Sequence, residues 1–128
     1  MTRPEITSKR DLTFSQWIRK KLPDSKSGFM VTDIDFFIFN YKTKKCMVVE
    51  VKTRNTEIKD WQRIFYTNFD KWLKTGVMDG WTYRGAYLVK FENTCFEDGK
   101  CYLTSFEKNE TMCVTERALI KFLSLNEN

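Results

Sequence analysis

Asp33-Ile34-Asp35-Phe36-Phe37-Ile38-Phe39-Asn40-Tyr41-Lys42-Thr43-Lys44-Lys45-Cys46-Met47-Val48-Val49-Glu50-Val51-Lys52 is the stretch whose reading decides the fold. Residues Asp33 to Asn40 are dense in β-branched and aromatic side chains, and Lys45 to Lys52 form a second such run. Both read as strands, and the polar Tyr41-Lys42-Thr43-Lys44 between them suits a hairpin loop. Cys46 to Val49 are apolar without alternation, as in a strand covered on both faces.

Residues two apart on a strand share a face, so Glu50 and Lys52 project together while Val49 and Val51 go to the other side. In a hairpin, Asp35 at the start of one strand lies near Glu50 and Lys52 at the end of the other. Two carboxylates and an ammonium then converge at one sheet edge. Paired carboxylate oxygens suit Mg²⁺, a hard ion that keeps waters for chemistry, with Mn²⁺ as a substitute. A lysine beside them can position a water and offset charge on a phosphoryl transition state. The plain alternative is a same-face ion pair, common in a chain that is 30% charged. Set against it is the cost of placing charges directly after a buried run unless they are paired or used.

The pattern extends outward on both sides. Phe14, Trp17, Ile18 and Leu22 recur at helical spacing and predict a helix over Thr13 to Lys21, with Pro23 just past its end. Asp24 to Gly28 read as a turn or loop, and Phe29 to Val31 as a possible short extra strand. After the hairpin, Ile58, Trp61, Phe65, Phe69 and Trp72 form an apolar stripe that predicts a helix from about Thr56 to Lys74. Asn55 or Thr56 would cap it, and Gly76 suits its end. Trp81 to Phe91 and Lys100 to Phe106 read as further strands around an Asp98-Gly99 turn, and Thr115 to Leu125 as a closing amphipathic helix capped by Thr115. The expected class is α/β (α+β), one domain over 1–128, with helices flanking a central mixed sheet. Trp17, Trp61 and Trp72 are expected in the core.

Asp33-Ile34-Asp35-Phe36 with Glu50-Val51-Lys52-Thr53-Arg54-Asn55 resembles the PD-(D/E)xK nuclease superfamily. Gln62-Arg63-Ile64-Phe65-Tyr66 matches the Gln-x-x-x-Tyr element of its RecB-like and λ-exonuclease-like branches, and the likeness spans roughly Thr13 to Phe91. It implies a restriction-endonuclease-like core and Mg²⁺-dependent hydrolysis of DNA, with an endonuclease favoured. By that resemblance Asp35 and Glu50 are metal ligands and Lys52 the catalytic lysine. Gln62 and Tyr66 would contact DNA phosphate or support the site, with Asp33 either an accessory or itself the first ligand. Arg54 and Arg63, with Lys20 and Lys21 at the end of the first helix, are the basic residues expected to hold the nucleic acid. Many members draw a further acid from the first helix. Here Thr13 to Leu22 hold none, and only Glu5 and Asp11 lie upstream.

Composition narrows the alternatives. Residues 1–55 carry 12 Lys and Arg against 6 Asp and Glu, and residues 56–128 carry 10 against 11, so the net +5 lies wholly in the first part. A polyanion would be drawn there, although lysine-rich surfaces are also ordinary, and Lys42 to Lys45 read as a solvated hairpin tip. With 0 His, imidazole-based catalysis and Cys/His zinc sites are excluded. Some nucleases of this type hold an iron–sulfur cluster on four cysteines. Cys46 falls in a core strand and Cys95, Cys101 and Cys113 lack tight ligand spacing, so all four are expected as buried free thiols. No apolar run approaches the ~18–20 residues of a membrane span, and Met1 to Glu5 have no secretory character, so a cytoplasmic location is expected. DNA is the expected partner, with a homodimer or larger nucleic-acid-processing complex supplying any sequence specificity. The other readings are an inactive nucleic-acid-binding module on the same fold, or an interaction domain whose Glu50–Lys52 pair is structural.

Overall fold

In the computed structural model, residues 13–28 and 30–126 are described. The chain divides into two units, Met1–Asp33 and Ile34–Asn128. Glu5 and Asp11 lie outside the described residues.

The first unit contains helix α1, Thr13–Lys21, and a single 3-10 turn, Ser25–Ser27, where the 24–28 segment reads as a turn. Lys26 N–H donates to Asp24 Oδ1 (3.1 Å) and closes that turn. Phe14 and Trp17 stack at 5.7 Å. Neither is buried: Trp17 is 47% exposed, which corrects its expected core position. Met30 and Val31 are not in a strand, so the short extra strand is absent among the described residues.

The second unit runs β1 (Phe36–Asn40), β2 (Lys45–Lys52), α2 (Asp60–Gly76), β3 (Thr82–Phe91), β4 (Cys101–Ser105), β5 (Thr111–Val114) and α3 (Glu116–Ser124). The strands form one mixed sheet in the order β1-β2-β3-β4-β5. β2 and β3 pair in parallel and every other neighbouring pair is antiparallel. A parallel pair needs a long crossover, and α2 supplies it. The short β5 was not legible as a strand. Its residues are mostly exposed, so no alternation betrays it, and it holds the edge partly through the Thr104–Thr111 hydroxyl pair (2.7 Å).

Two apolar layers enclose the sheet. Met47, Val49, Val89, Cys101 and Leu103 pack with Leu119 and Leu125, the α3 side. Val48, Ala86, Leu88 and Phe106 pack with Ile58 and Tyr66, the α2 side. β2 is buried from Lys45 to Glu50 because it lies inside the sheet under both layers. Thr115 Oγ1 accepts from Ala118 N–H (3.1 Å) and caps α3 as its sequence suggests. Of the cysteines, Cys46 and Cys101 are buried, but Cys95 and Cys113 are exposed free thiols. Among the described residues, no helix is long and apolar enough to cross a membrane.

α2 starts later than its sequence suggests, with Lys59 at its N-cap, and its buried face is rotated from the apolar stripe. Trp61 is 37% and Trp72 64% exposed, while Tyr66 and Asp70 are buried. Asp70 has its partners inside the fold. Its Oδ1 accepts from Tyr83 Oη (2.8 Å) and Ala86 N–H (3.1 Å), and its Oδ2 pairs with Lys74 Nζ (3.0 Å). The Ala86 amide is available because β3 bulges there: the β2–β3 register slips between Cys46 and Val48, and Gly85 sits at φ +114. Any larger residue would strain that backbone and bring Cβ within 3.1 Å of the Tyr87 ring.

Lys45 departs from the solvated hairpin tip. Lys42 and Lys44 are exposed, but Lys45 is 7% exposed and alternates with Met47 and Val49 toward the α3 layer. Its Nζ is buried without a hydrogen-bond partner. Exchange for an apolar chain of similar shape removes that desolvation cost, so Lys45→Met is expected to raise the urea-unfolding free energy by about 1–3 kcal/mol. An unchanged or lower midpoint would contradict this. Asp70→Ala orphans the Ala86 amide and the Tyr83 hydroxyl, and is expected to lower the same free energy by about 3 kcal/mol.

Candidate functional site

The hairpin register, Phe36 opposite Val49 through Asn40 opposite Lys45, sets the site. Asn40 Oδ1 accepts from Lys42 and Thr43 N–H (3.0 and 3.2 Å), and Thr43 Oγ1 donates to Leu125 O (2.7 Å), so the turn is tied to the end of α3. One residue before β1, Asp35 falls beside the end of β2, where its Oδ2 accepts from Val51 N–H (3.0 Å).

Glu50 is 4% exposed, a carboxylate almost wholly out of water. Tyr66 Oη donates to Glu50 Oε1 at 2.6 Å, and Lys52 Nζ lies 3.2 Å from Glu50 Oε2. One uncharged donor and one cation therefore answer the two oxygens, as burial of an ion requires. Tyr66 is itself 1% exposed and stacks on Phe106 at 5.1 Å. Burial, then the bond to Glu50 and the charges of Glu50 and Asp35, push the Tyr66 phenol well above its ordinary pKa, while the Asp35 backbone amide opposes them. The phenol stays protonated and donates.

The structure thus brings Asp35, Glu50, Lys52 and Tyr66 together. Gln62 uses its side-chain oxygen to accept from Lys59 N–H (3.2 Å) at the start of α2. Arg54 is exposed in the turn leaving β2, where it and Asn55 take the left-handed conformation (φ 54 and 55). That turn is pinned by Arg54 N–H to Asn93 O (2.6 Å) and Asn55 N–H to Phe91 O (3.2 Å). Arg63 is half-buried and donates from Nη1 to Asn109 Oδ1 (3.1 Å). Asp33, Lys20 and Lys21 are exposed residues of the first unit, and the Asp33 carbonyl accepts from Thr32 Oγ1 (3.3 Å).

Sequence reading missed Lys90. It is the β3 residue opposite Lys52, and its Nζ bonds Glu57 Oε1 (2.6 Å). That bond and the Lys90 charge hold the Glu57 carboxyl below its usual range. No motif marks Lys90, because its position beside Lys52 arises from the parallel register.

Among the described residues, no group of three or more His, Cys, Asp or Glu side chains is placed to hold a metal. Asp35 and Glu50 offer hard oxygen donors from two carboxylates. Such a pair fits Mg²⁺, which is commonly bound through one or two carboxylates with waters and substrate phosphates completing its shell.

An uncharacterized protein of Archaeoglobus fulgidus is 30% identical over 103 residues, which cover 80% of this chain and 67% of the archaeal protein. The chain belongs to the same family as that protein. No protein-family model matches. No solved structure matches either.

Tyr66→Phe keeps the ring in its stack and removes only the donor to Glu50. It is expected to cost about 1–3 kcal/mol in urea unfolding, because a buried carboxylate oxygen loses its partner. A cost below about 0.5 kcal/mol would mean that water reaches Glu50.

Proposed function

We propose that the chain is a divalent-metal-dependent nuclease of the PD-(D/E)xK type on a restriction-endonuclease-like core, hydrolysing DNA phosphodiester bonds. The observation that carries this reading is the buried Glu50 carboxylate, held by Tyr66 and Lys52, with Asp35 bound to the next amide of the same strand, that of Val51. A strand that needed only stability would be served by an apolar residue at position 50, since a buried ion pair seldom exceeds an apolar replacement in stability.

Asp35 and Glu50 are the residues that would hold Mg²⁺ or Mn²⁺. When bound, the ion supplies polarisation of the scissile phosphate and activation of a water. Lys52, its side chain 17% exposed, sits between the buried acid and solvent. Its ammonium leaves Glu50 Oε2 to orient the attacking water and to stabilise charge gathering on the phosphoryl oxygens. Water oxygen forms the new P–O bond and gives up a proton to solvent, the opposite P–O bond breaks, and the departing oxygen takes a proton from solvent. Tyr66 is a positioning residue: its protonated phenol keeps Glu50 in one orientation.

One feature favours a second reading, an inactive nucleic-acid-binding module. Both Glu50 oxygens already have partners, so an ion must share one of them.

Cleavage of labelled linear, circular and branched DNA with Mg²⁺ or Mn²⁺ separates the two. The wild type is expected to cut, and Lys52→Ala, shown folded by circular dichroism, to lose at least about 100-fold in rate. Binding without cutting under both metals would sink the nuclease reading and leave the binding module.

A further inference from the structure

The face that carries Glu50 and Lys52 does not end at β2. In register, Glu50 lies opposite Leu88 and Lys52 opposite Lys90 on β3. Leu88 and Lys90 in turn lie opposite Thr104 and Tyr102 on β4, and Thr104 opposite Thr111 on β5. Alternation confirms the side, since Cys101 and Leu103 belong to the α3 layer and Phe106 to the α2 layer. α2 covers this face around Val48, Ala86 and Phe106. Past that cover lies a cavity of about 380 Å³, whose lining includes Leu88, Lys90, Tyr102, Thr104, Arg63 and Asn109.

The lining has a mixed chemistry, and it includes two carboxylates, Glu57, which pairs with Lys90, and Glu92, whose Oε1 accepts from Lys100 N–H (3.4 Å). Leu88 and Thr104 are buried and make a firm floor, and Tyr102 offers a half-buried ring. Asn109 offers an amide, and Arg63 and Lys90 are cations. Arg63 Nη1 donates to the neutral Asn109 amide, and Lys90 is paired with Glu57, whose side chain is 79% exposed. An incoming phosphate can therefore replace weak or solvated partners, and it need not break a buried pair. An apolar ligand would strand these polar groups, and a bare anion would leave the ring and amides unused. A nucleotide uses all three: a base on the ring, amides at the base edge, cations at the phosphate. The cavity stands at the small end of the range of about 300–1,000 Å³ for ligand sites, room for a single nucleotide and not for a base pair.

We propose that this cavity receives one unpaired nucleotide of the strand whose neighbouring phosphodiester lies at Glu50 and Lys52. The substrate is then single-stranded or splayed at the cut, because a paired base must leave its stack to enter. The role of that phosphodiester rests on the nuclease reading; the cavity's preference for an unpaired nucleotide does not.

The test is fluorescence anisotropy of the full chain in EDTA, with a labelled single-stranded oligonucleotide and the matching duplex, where no cutting is possible. Single strand is expected to bind at least about 10-fold more tightly than duplex. Tyr102→Leu, which keeps apolar bulk and loses the ring, is expected to weaken single-strand binding roughly 5- to 100-fold and leave duplex binding unchanged. Arg63→Gln, a second variant that retains a donor for Asn109, should weaken it as well. Equal binding of the two forms, no binding of either, or wild-type single-strand binding by both folded variants would overturn the proposal. Tyr102-dependent binding by a protein that never cuts would defeat the catalytic reading and leave the cavity assigned. Cutting of duplex by a protein indifferent to Tyr102→Leu would do the reverse.

Discussion

A carboxylate inside a strand that is buried on both faces constrains much of this structure. β2 has no solvent-facing side between Lys45 and Glu50, so the polar atoms of Glu50 must find their partners within the fold. Lys52 comes from the same strand, two residues on, and the strand period alone delivers it. Tyr66 must come from α2. That demand sets the rotation of α2 about its axis, and Asp70 one turn later is carried inward with it. The β3 bulge at Gly85 then supplies the amide that Asp70 accepts.

This chain of dependence explains why the buried face of α2 differs from its apolar stripe. Its apolar stripe through Trp61 and Trp72 is real in the sequence, yet those indoles are exposed and a tyrosine and an aspartate are buried. Hydrophobic periodicity assumes that polar groups lie outside. It fails where a polar group has its partner within the fold, and Tyr83, Ala86 and Glu50 are such partners, all distant in sequence. Lys45 misled for the related reason that a lysine beside a turn looks solvated until its strand proves internal. By contrast, α1, β2 and the Thr115 cap depend on residues within a turn or two of one another, and their bounds were legible.

The grouping of Asp35, Glu50 and Lys52 was legible because a hairpin is a local structure. A four-residue turn and a period of two suffice to bring residue 35 beside residues 50 and 52. Tyr66 could be named from the Gln-x-x-x-Tyr spacing, though its bond to Glu50 could not. Lys90, Tyr102 and Thr104 carry no such spacing. They join the face of Glu50 only through parallel and antiparallel registers spanning three strands, and no motif in one strand encodes a register with another.

The two buried acids among the described residues differ in what surrounds them. Asp70 is met by a hydroxyl, an amide and a lysine, and its surroundings are Tyr83, Ala86 and the body of α2. It closes a gap between helix and bulge. Glu50 has equally good partners, but one of them, Lys52, stands where the sheet face emerges from beneath α2 and borders residues that line an open cavity. The α3 side of the sheet at β2 and β3 is filled by Met47, Val49 and Val89 under Leu119 and Leu125. The α2 side is filled only as far as Phe106 and Leu88, and beyond them its side chains turn polar. A fold selected for stability alone has no reason to stop its cover there, with a charged pair at the margin. The asymmetry between the two faces leaves the Glu50–Lys52 pair at the margin of the α2 cover, at the end of β2.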